Sequence, residues 1–154
     1  MTARFTEADE RFMREAMKEA SIAFSLGEVP VGAVIVKDGE IIARGHNTRE
    51  IEHSAIAHAE ISAITEACRL LGDWRLTGCT LYVTLEPCPM CAGAIISARI
   101  PRVVFGAYDA TMGAFGSVLQ MARYPLPARP KIESGLFTEE AQAMMSAFFK
   151  KQRE

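Results

Sequence analysis

Residues 80–99 read TLYVTLEPCPMCAGAIISAR, and they decide the architecture. Thr80 to Leu85 is a short apolar run rich in β-branched and aromatic side chains, which predicts a buried strand. Pro89 to Arg99 predicts a helix, and Pro89 suits its first turn because no N–H is needed there. A strand running straight into a helix is half of an α/β unit.

The pattern continues on both sides. Upstream, Thr6 predicts a helix start, with Asp9 as its capping-box partner. Met13, Met17, Ala20 and Phe24 form one apolar face, and Gly27 ends the helix. Val31 to Val36 reads as a strand, Asp38-Gly39 as a two-residue hairpin turn, and Ile41 to Arg44 as the returning strand, running on to about Asn47. A polar loop is expected from Thr48 to Ser54. A helix follows from about His58 to Leu71, with Ile61, Ile64, Cys68 and Leu71 on one face. Downstream, Val103-Val104-Phe105 is a strand and Gly106 to Gly116 a loop, with a weaker helical piece from Ser117 to Ala122. Pro125, Pro127 and Pro130 mark a turn-rich connection to a short strand, Lys131 to Glu133. Thr138 is expected to cap a last helix with Ala141, Met144, Met145 and Phe148 inside. One hairpin followed by alternating helices and strands gives an α/β layered domain spanning 1–154.

Composition limits the function classes. The 154 residues are 49% hydrophobic and 23% charged, which excludes disorder, collagen and coiled coil. No run reaches the ~18 apolar residues of a membrane span; the longest charge-free stretches are Pro87 to Ala98 and Ala110 to Ala122. Met1-Thr2-Ala3-Arg4-Phe5 lacks the apolar core of a signal peptide, so the expected location is cytoplasmic. The net charge of −2 means that any nucleic-acid site is a local patch. The helix Pro89 to Arg99 is apolar nearly all round. One face packs on the sheet, and a second copy of the chain is the expected cover for the rest, giving a homodimer.

The chemistry centres on His58-Ala59-Glu60 and on Cys88 and Cys91. Two Cys at i and i+3 in a first helical turn point the same way. Thiolates are favoured at a helix N-terminus. His58 also opens a helix, so two N-termini can converge on one metal. One His and two Cys make a three-ligand zinc set with a fourth position open. Cys68 and Cys79 lie too far along their elements to close it, roughly 15 and 20 Å away; His53, in a loop, is not excluded. Glu60, two residues from a ligand, is placed to move protons without binding the metal. Its plain alternative is a solvated acid in a first helical turn.

H-A-E with P-C-x-x-C resembles the signature of the zinc-dependent cytidine and deoxycytidylate deaminase superfamily. Further segments resemble its tRNA-specific adenosine deaminase branch: Gly27 to Val34, Ala43 to Glu50, Trp74-Arg75-Leu76, Thr80 to Cys88, Arg102 to Ala107 and Ser146 to Lys150. The resemblance covers nearly the whole chain. It implies a cytidine-deaminase-like three-layer α/β/α sandwich with a mixed sheet of about five strands. It also implies a homodimer with one Zn2+ per subunit held by His58, Cys88 and Cys91, with Glu60 as proton shuttle. Asn47 falls where the family hydrogen-bonds the target base, and Asp109 where it contacts RNA near the flipped nucleotide. Phe149 and Arg153 match positions that touch the anticodon loop. On their own, Asn47 reads as a turn residue, Asp109 as a loop acid and Phe149 as core. Thr111 stands where the family usually has Lys, and Pro127-Ala128 where an Asn-His pair is common. Arg123, Arg129 and Lys131, with Lys150, Lys151 and Arg153, are candidate phosphate contacts. The implied reaction is hydrolysis of adenosine to inosine at the wobble position of a tRNA anticodon. Two other readings remain open: a deaminase of a free base or nucleoside such as guanine or cytosine, and a zinc-stabilised binding module without catalysis.

Overall fold

The expected hairpin starts the sheet. In a computed structural model, which describes residues 4–154, β1 (Gly32–Lys37) and β2 (Glu40–His46) pair antiparallel around Asp38-Gly39. Both turn residues have positive φ, 51° and 77°, as a type I′ turn requires. The register slips between Ile35 and Val36, a bulge. β3 (Cys79–Leu85) lies antiparallel on the other side of β1, and β4 (Arg102–Ala107) and β5 (Lys131–Ser134) continue in parallel. The order is β2-β1-β3-β4-β5. Met1-Thr2-Ala3 of the N-terminal reading lies outside the described residues.

Period-two alternation sends neighbouring side chains to opposite faces. Ala33, Ile35, Leu81, Val83, Val103 and Phe105 pack with α3 (Ala59–Leu71) and α4 (Pro89–Ser97). Val34, Val36, Tyr82 and Val104 pack with Phe12, Met13 and Ala16 of α1 (Glu7–Ser25). α5 (Thr138–Gln152) lies beside α1, with Phe148 edge-on to Phe24 at 6.1 Å. These layers form the expected α/β/α sandwich. Among the described residues no helix is long and apolar enough to cross a membrane.

Several expectations are corrected. The capping box of α1 is present, but its buried face is Phe12, Met13, Ala16, Ala20 and Ala23; Met17 and Phe24 sit at its margin, towards α5. α3 buries Ala59, Ala63 and Ala67, while Ile61, Ile64, Cys68 and Leu71 flank them half-buried. The reason is close approach: a Cβ on Gly45 of β2 would lie 2.2 Å from the Ala59 carbonyl oxygen, so only small side chains fit between helix and sheet. The loop from Thr48 holds a one-turn helix, α2 (Arg49–Glu52). The helical piece expected over Ser117 to Ala122 is confined to a 3₁₀ turn at Met121–Arg123; Ser117 to Gln120 is non-helical, with Gln120 bridged to Phe115. Thr138 does not cap α5. Phe137, at φ 58°, takes that position, and the Thr138 hydroxyl donates to the Gly106 carbonyl at 2.9 Å. α4 ends at Ser97, short of Arg99, whose φ is 62°.

Candidate active site

Two helix starts meet over the sheet. His58 is the N-cap of α3 and Cys88 the N-cap of α4, with Pro89 following. Neither side chain caps its own helix, so both are free to point across the gap. Cys91 lies one turn along α4, fully buried. His58 Nδ1 is 3.7 Å from Cys88 Sγ and 3.5 Å from Cys91 Sγ, and all three donor atoms lie within 4.8 Å of one another. Tetrahedral zinc with ordinary bond lengths sets nitrogen and sulfur about 3.6 Å apart. The residues present therefore fit zinc.

No fourth protein ligand joins the group among the described residues. The Cys68 thiol donates to the Trp74 carbonyl at 3.6 Å. Cys79 is buried beside the Thr77 carbonyl. His53 is exposed, in a left-handed turn after α2. The set is open, as a catalytic site requires.

Glu60 is 4% exposed. Burial pushes its carboxyl up to about 7, and the neighbouring Cys88 adds to this. The Cys88 thiol is held down to about 4, chiefly by its hydrogen bond with Cys91, against the effect of burial and with help from His58. Cys91 is pushed up by the same bond and by burial, and His58 is pushed up first by its contact with Cys88. A bound dication would take both as thiolates.

His58, Glu60 and Cys88 open into a cavity of about 370 Å³, lined also by Asn47, Asp109, Met145 and Phe149. That volume suits one nucleobase with its sugar. Asn47 is buried. Its Oδ1 accepts from the Arg49 amide at 3.1 Å, and its Nδ2 makes only a long 3.4 Å contact to the Val29 carbonyl. It is both a turn residue and a wall of the cavity. Asp109 Oδ1 accepts from the Thr111 amide, the Thr111 hydroxyl and the Met112 amide at 2.9–3.1 Å. Thr111 is thereby tied to Asp109. Phe149 is 43% exposed at the mouth and not core. Arg153 ends α5, exposed, and does not line the cavity. Lys150 and Lys151 are exposed on the same helix, as are Arg123, Arg129 and Lys131 on the preceding connection and strand.

Sequence reasoning missed Arg49, Met112 and two buried carboxylates. Glu28, 1% exposed, accepts from the Glu50 and Ile51 amides at 3.1 and 2.8 Å, capping α2. Glu86, 2% exposed, holds the loop that carries Asp109. The available signal was an acid inside an otherwise apolar run, in Val83 to Cys91 above all.

Residues 6–107 match the family described as cytidine and deoxycytidylate deaminase zinc-binding region. A tRNA-specific adenosine deaminase of Bacillus subtilis is 55% identical over 148 residues, covering 94% of this chain and 91% of that one. A solved structure of a tRNA:A34 deaminase that performs A-to-I editing at the wobble position is 45% identical. It superposes with a TM-score of 0.85, covering 87% of this chain and 98% of that one. The guanine deaminase of Nitrosomonas europaea shares the fold alone, at TM-score 0.76 and 23% identity, covering 96% of this chain and 85% of its own.

Proposed function

The chain belongs to the cytidine and deoxycytidylate deaminases, in the branch of the tRNA-specific adenosine deaminases, and on that premise we propose that it converts adenosine to inosine at the wobble position of a tRNA anticodon. The observation that carries the reading is one cavity holding an open His58-Cys88-Cys91 set, the buried Glu60 and a base-sized space. One Zn2+ per subunit fits the three donors, and when bound it supplies Lewis acidity that makes water a nucleophile near neutral pH.

The chain's own residues do the rest. Water adds to C6 of adenine, the C6–N bond breaks, and ammonia leaves. Glu60 accepts one proton from the attacking water at its carboxylate and delivers it to the ring nitrogen; it then takes the second water proton from the new C6 hydroxyl and delivers it to the departing amine. A carboxyl poised near neutrality, as burial makes this one, suits both directions. Asn47 lines the cavity, and its Nδ2, held only by the long bond to the Val29 carbonyl, is the donor for the base. Met145 and Phe149 of α5 give the base an apolar wall. The target base must leave its stack to enter, which favours a single-stranded loop as substrate. Arg153, with Lys150 and Lys151, supplies phosphate contacts outside the cavity.

The same reading treats residues 1–154 as one deaminase domain working as a homodimer in the cytoplasm. α4 supports the dimer: Met90, Gly93, Ala94 and Ser97 line a partly open face of small and apolar side chains. The test is ammonia release from an anticodon stem-loop with adenosine at the wobble position, and from adenosine, cytidine and guanine separately. The stem-loop is expected to react fastest. Faster turnover of guanine or cytidine overturns the tRNA assignment.

A further inference from the structure

One wall of the cavity is a loop, and its anchor is a single carboxylate. Glu86 is buried two residues before Cys88, and its hydrogen-bond partners among the described residues are all donors of one loop. Its Oε1 accepts from the Asp109 amide at 3.1 Å and from the Ser117 hydroxyl; its Oε2 accepts from the amides of Phe115 at 3.1 Å and Ser117 at 3.0 Å. An ionised carboxylate offers about four acceptor sites and no donor, and four donors fill them. Gly113 closes over the group: a Cβ there would lie 2.4–2.5 Å from the carboxylate atoms. Main-chain bonds run alongside, Glu86 N–H to the Ala107 carbonyl at 2.8 Å and Ala114 N–H to the Pro87 carbonyl at 2.9 Å. The loop is thus wrapped around the segment that leads into the metal ligands.

The wrapping reaches the substrate space. Asp109, whose amide Glu86 holds, uses its own Oδ1 to fix Thr111 and Met112, and all three line the cavity. We propose that Glu86 is a positioning residue for substrate: its buried negative charge is the template on which the loop from Tyr108 to Ser117 folds into the base-binding wall. This rests on the deaminase reading of the cavity. An apolar residue in this place would leave these four donors without their partner, the Phe115 amide among them buried, and glutamine would turn N–H groups towards donors. Neither change touches His58, Cys88 or Cys91 directly.

The test compares E86Q and E86D with the wild-type protein, loaded with zinc. In E86Q, hydrogen exchange at the amides of Asp109, Phe115 and Ser117 is expected to accelerate. KM for the stem-loop should rise about tenfold, the order of one unsatisfied donor, with kcat changed less than about threefold and zinc content unchanged. E86D, which keeps the charge, should be less impaired. Unchanged exchange at the three amides, an unchanged KM, or equal impairment of E86D and E86Q overturns the proposal. If E86Q does not fold, S117A serves: faster exchange at Phe115 and a raised KM support the proposal, and no change in both overturns it. Exchange is read without substrate, so failure of the wild-type protein on the stem-loop refutes the assigned function and leaves this measurement standing.

Discussion

Gly45→Ala tests whether the sheet sets the position of the catalytic groups. The added Cβ would sit 2.2 Å from the Ala59 carbonyl oxygen, 2.9 Å from the Ala63 nitrogen and 3.1 Å from Ser62 Cβ. Gly45 is not in the left-handed region, so the backbone accepts alanine and space alone is at issue. Reaching ordinary contact with the oxygen requires roughly 1 Å of separation. That oxygen belongs to the first turn of α3, the turn that begins at His58 and carries Glu60. β2 is an edge strand and absorbs part of the strain, so the stability cost should be that of ordinary overpacking, about 1–3 kcal/mol. The functional cost should be larger, because misplacing catalytic groups by about 1 Å costs on the order of 10²-fold. Thermal unfolding, a zinc titration and kcat/KM on the stem-loop measure the three effects. A lowered Tm with zinc affinity and kcat/KM within about threefold of wild type would refute the claim that this contact sets the site.

Burial raises the Asp9 carboxyl, but Arg102, Tyr82 and the Thr6 amide together hold it well below the usual carboxylate range. Its contribution to stability is therefore full above the unfolded value near pH 4 and is lost as pH falls towards the lower folded value. Arg102→Met should cost about 3 kcal/mol and move acid unfolding, followed by circular dichroism, to higher pH; an unchanged acid midpoint counts against the pairing. Gly93→Glu places a charge where, among the described residues beyond its own neighbours and helix backbone, nothing lies within 4 Å of the new Cβ. It should leave the subunit folded and shift light-scattering mass from dimer to monomer, and an intact dimer contradicts the role of α4. Truncation after Phe148 should weaken stem-loop turnover while sparing zinc content. Added salt should weaken RNA binding in the full chain more than in the truncated one, and equal salt slopes would remove the C-terminal cluster from the RNA surface.

The sheet and the His58-Cys88-Cys91 cluster were legible because each left a local mark. The hairpin announced itself in Asp38-Gly39, β3 and α4 in their apolar runs, and the cluster in the i, i+3 spacing of Cys88 and Cys91. What stayed hidden depended on contacts distant in sequence. Nothing near Ala59, Ala63 and Ala67 signals that Gly45 draws α3 close enough to demand alanine. The large residues Ile61 and Ile64 therefore looked like the inward face. Thr138 looked like a cap because Thr caps often; its hydroxyl is instead spent on Gly106, and Phe137 in a left-handed conformation redirects the chain. α2 is too short to carry a periodic signal and is held by Glu28, more than twenty residues away. Asn47 and Asp109 each look like turn residues, and each is one; that they share a cavity with Glu60 follows only from the assembled fold.

Glu60→Ala, assayed with an adenosine-containing anticodon stem-loop while metal content is measured on the same sample, tests the central claim most directly. In the proposed mechanism the carboxylate belongs to the proton pathway and not to the ligand set. The variant should therefore fold, retain zinc at the wild-type level and form inosine about 10²–10⁴-fold more slowly. Inosine formation at a near-normal rate, or a variant that has lost its zinc, would contradict the account.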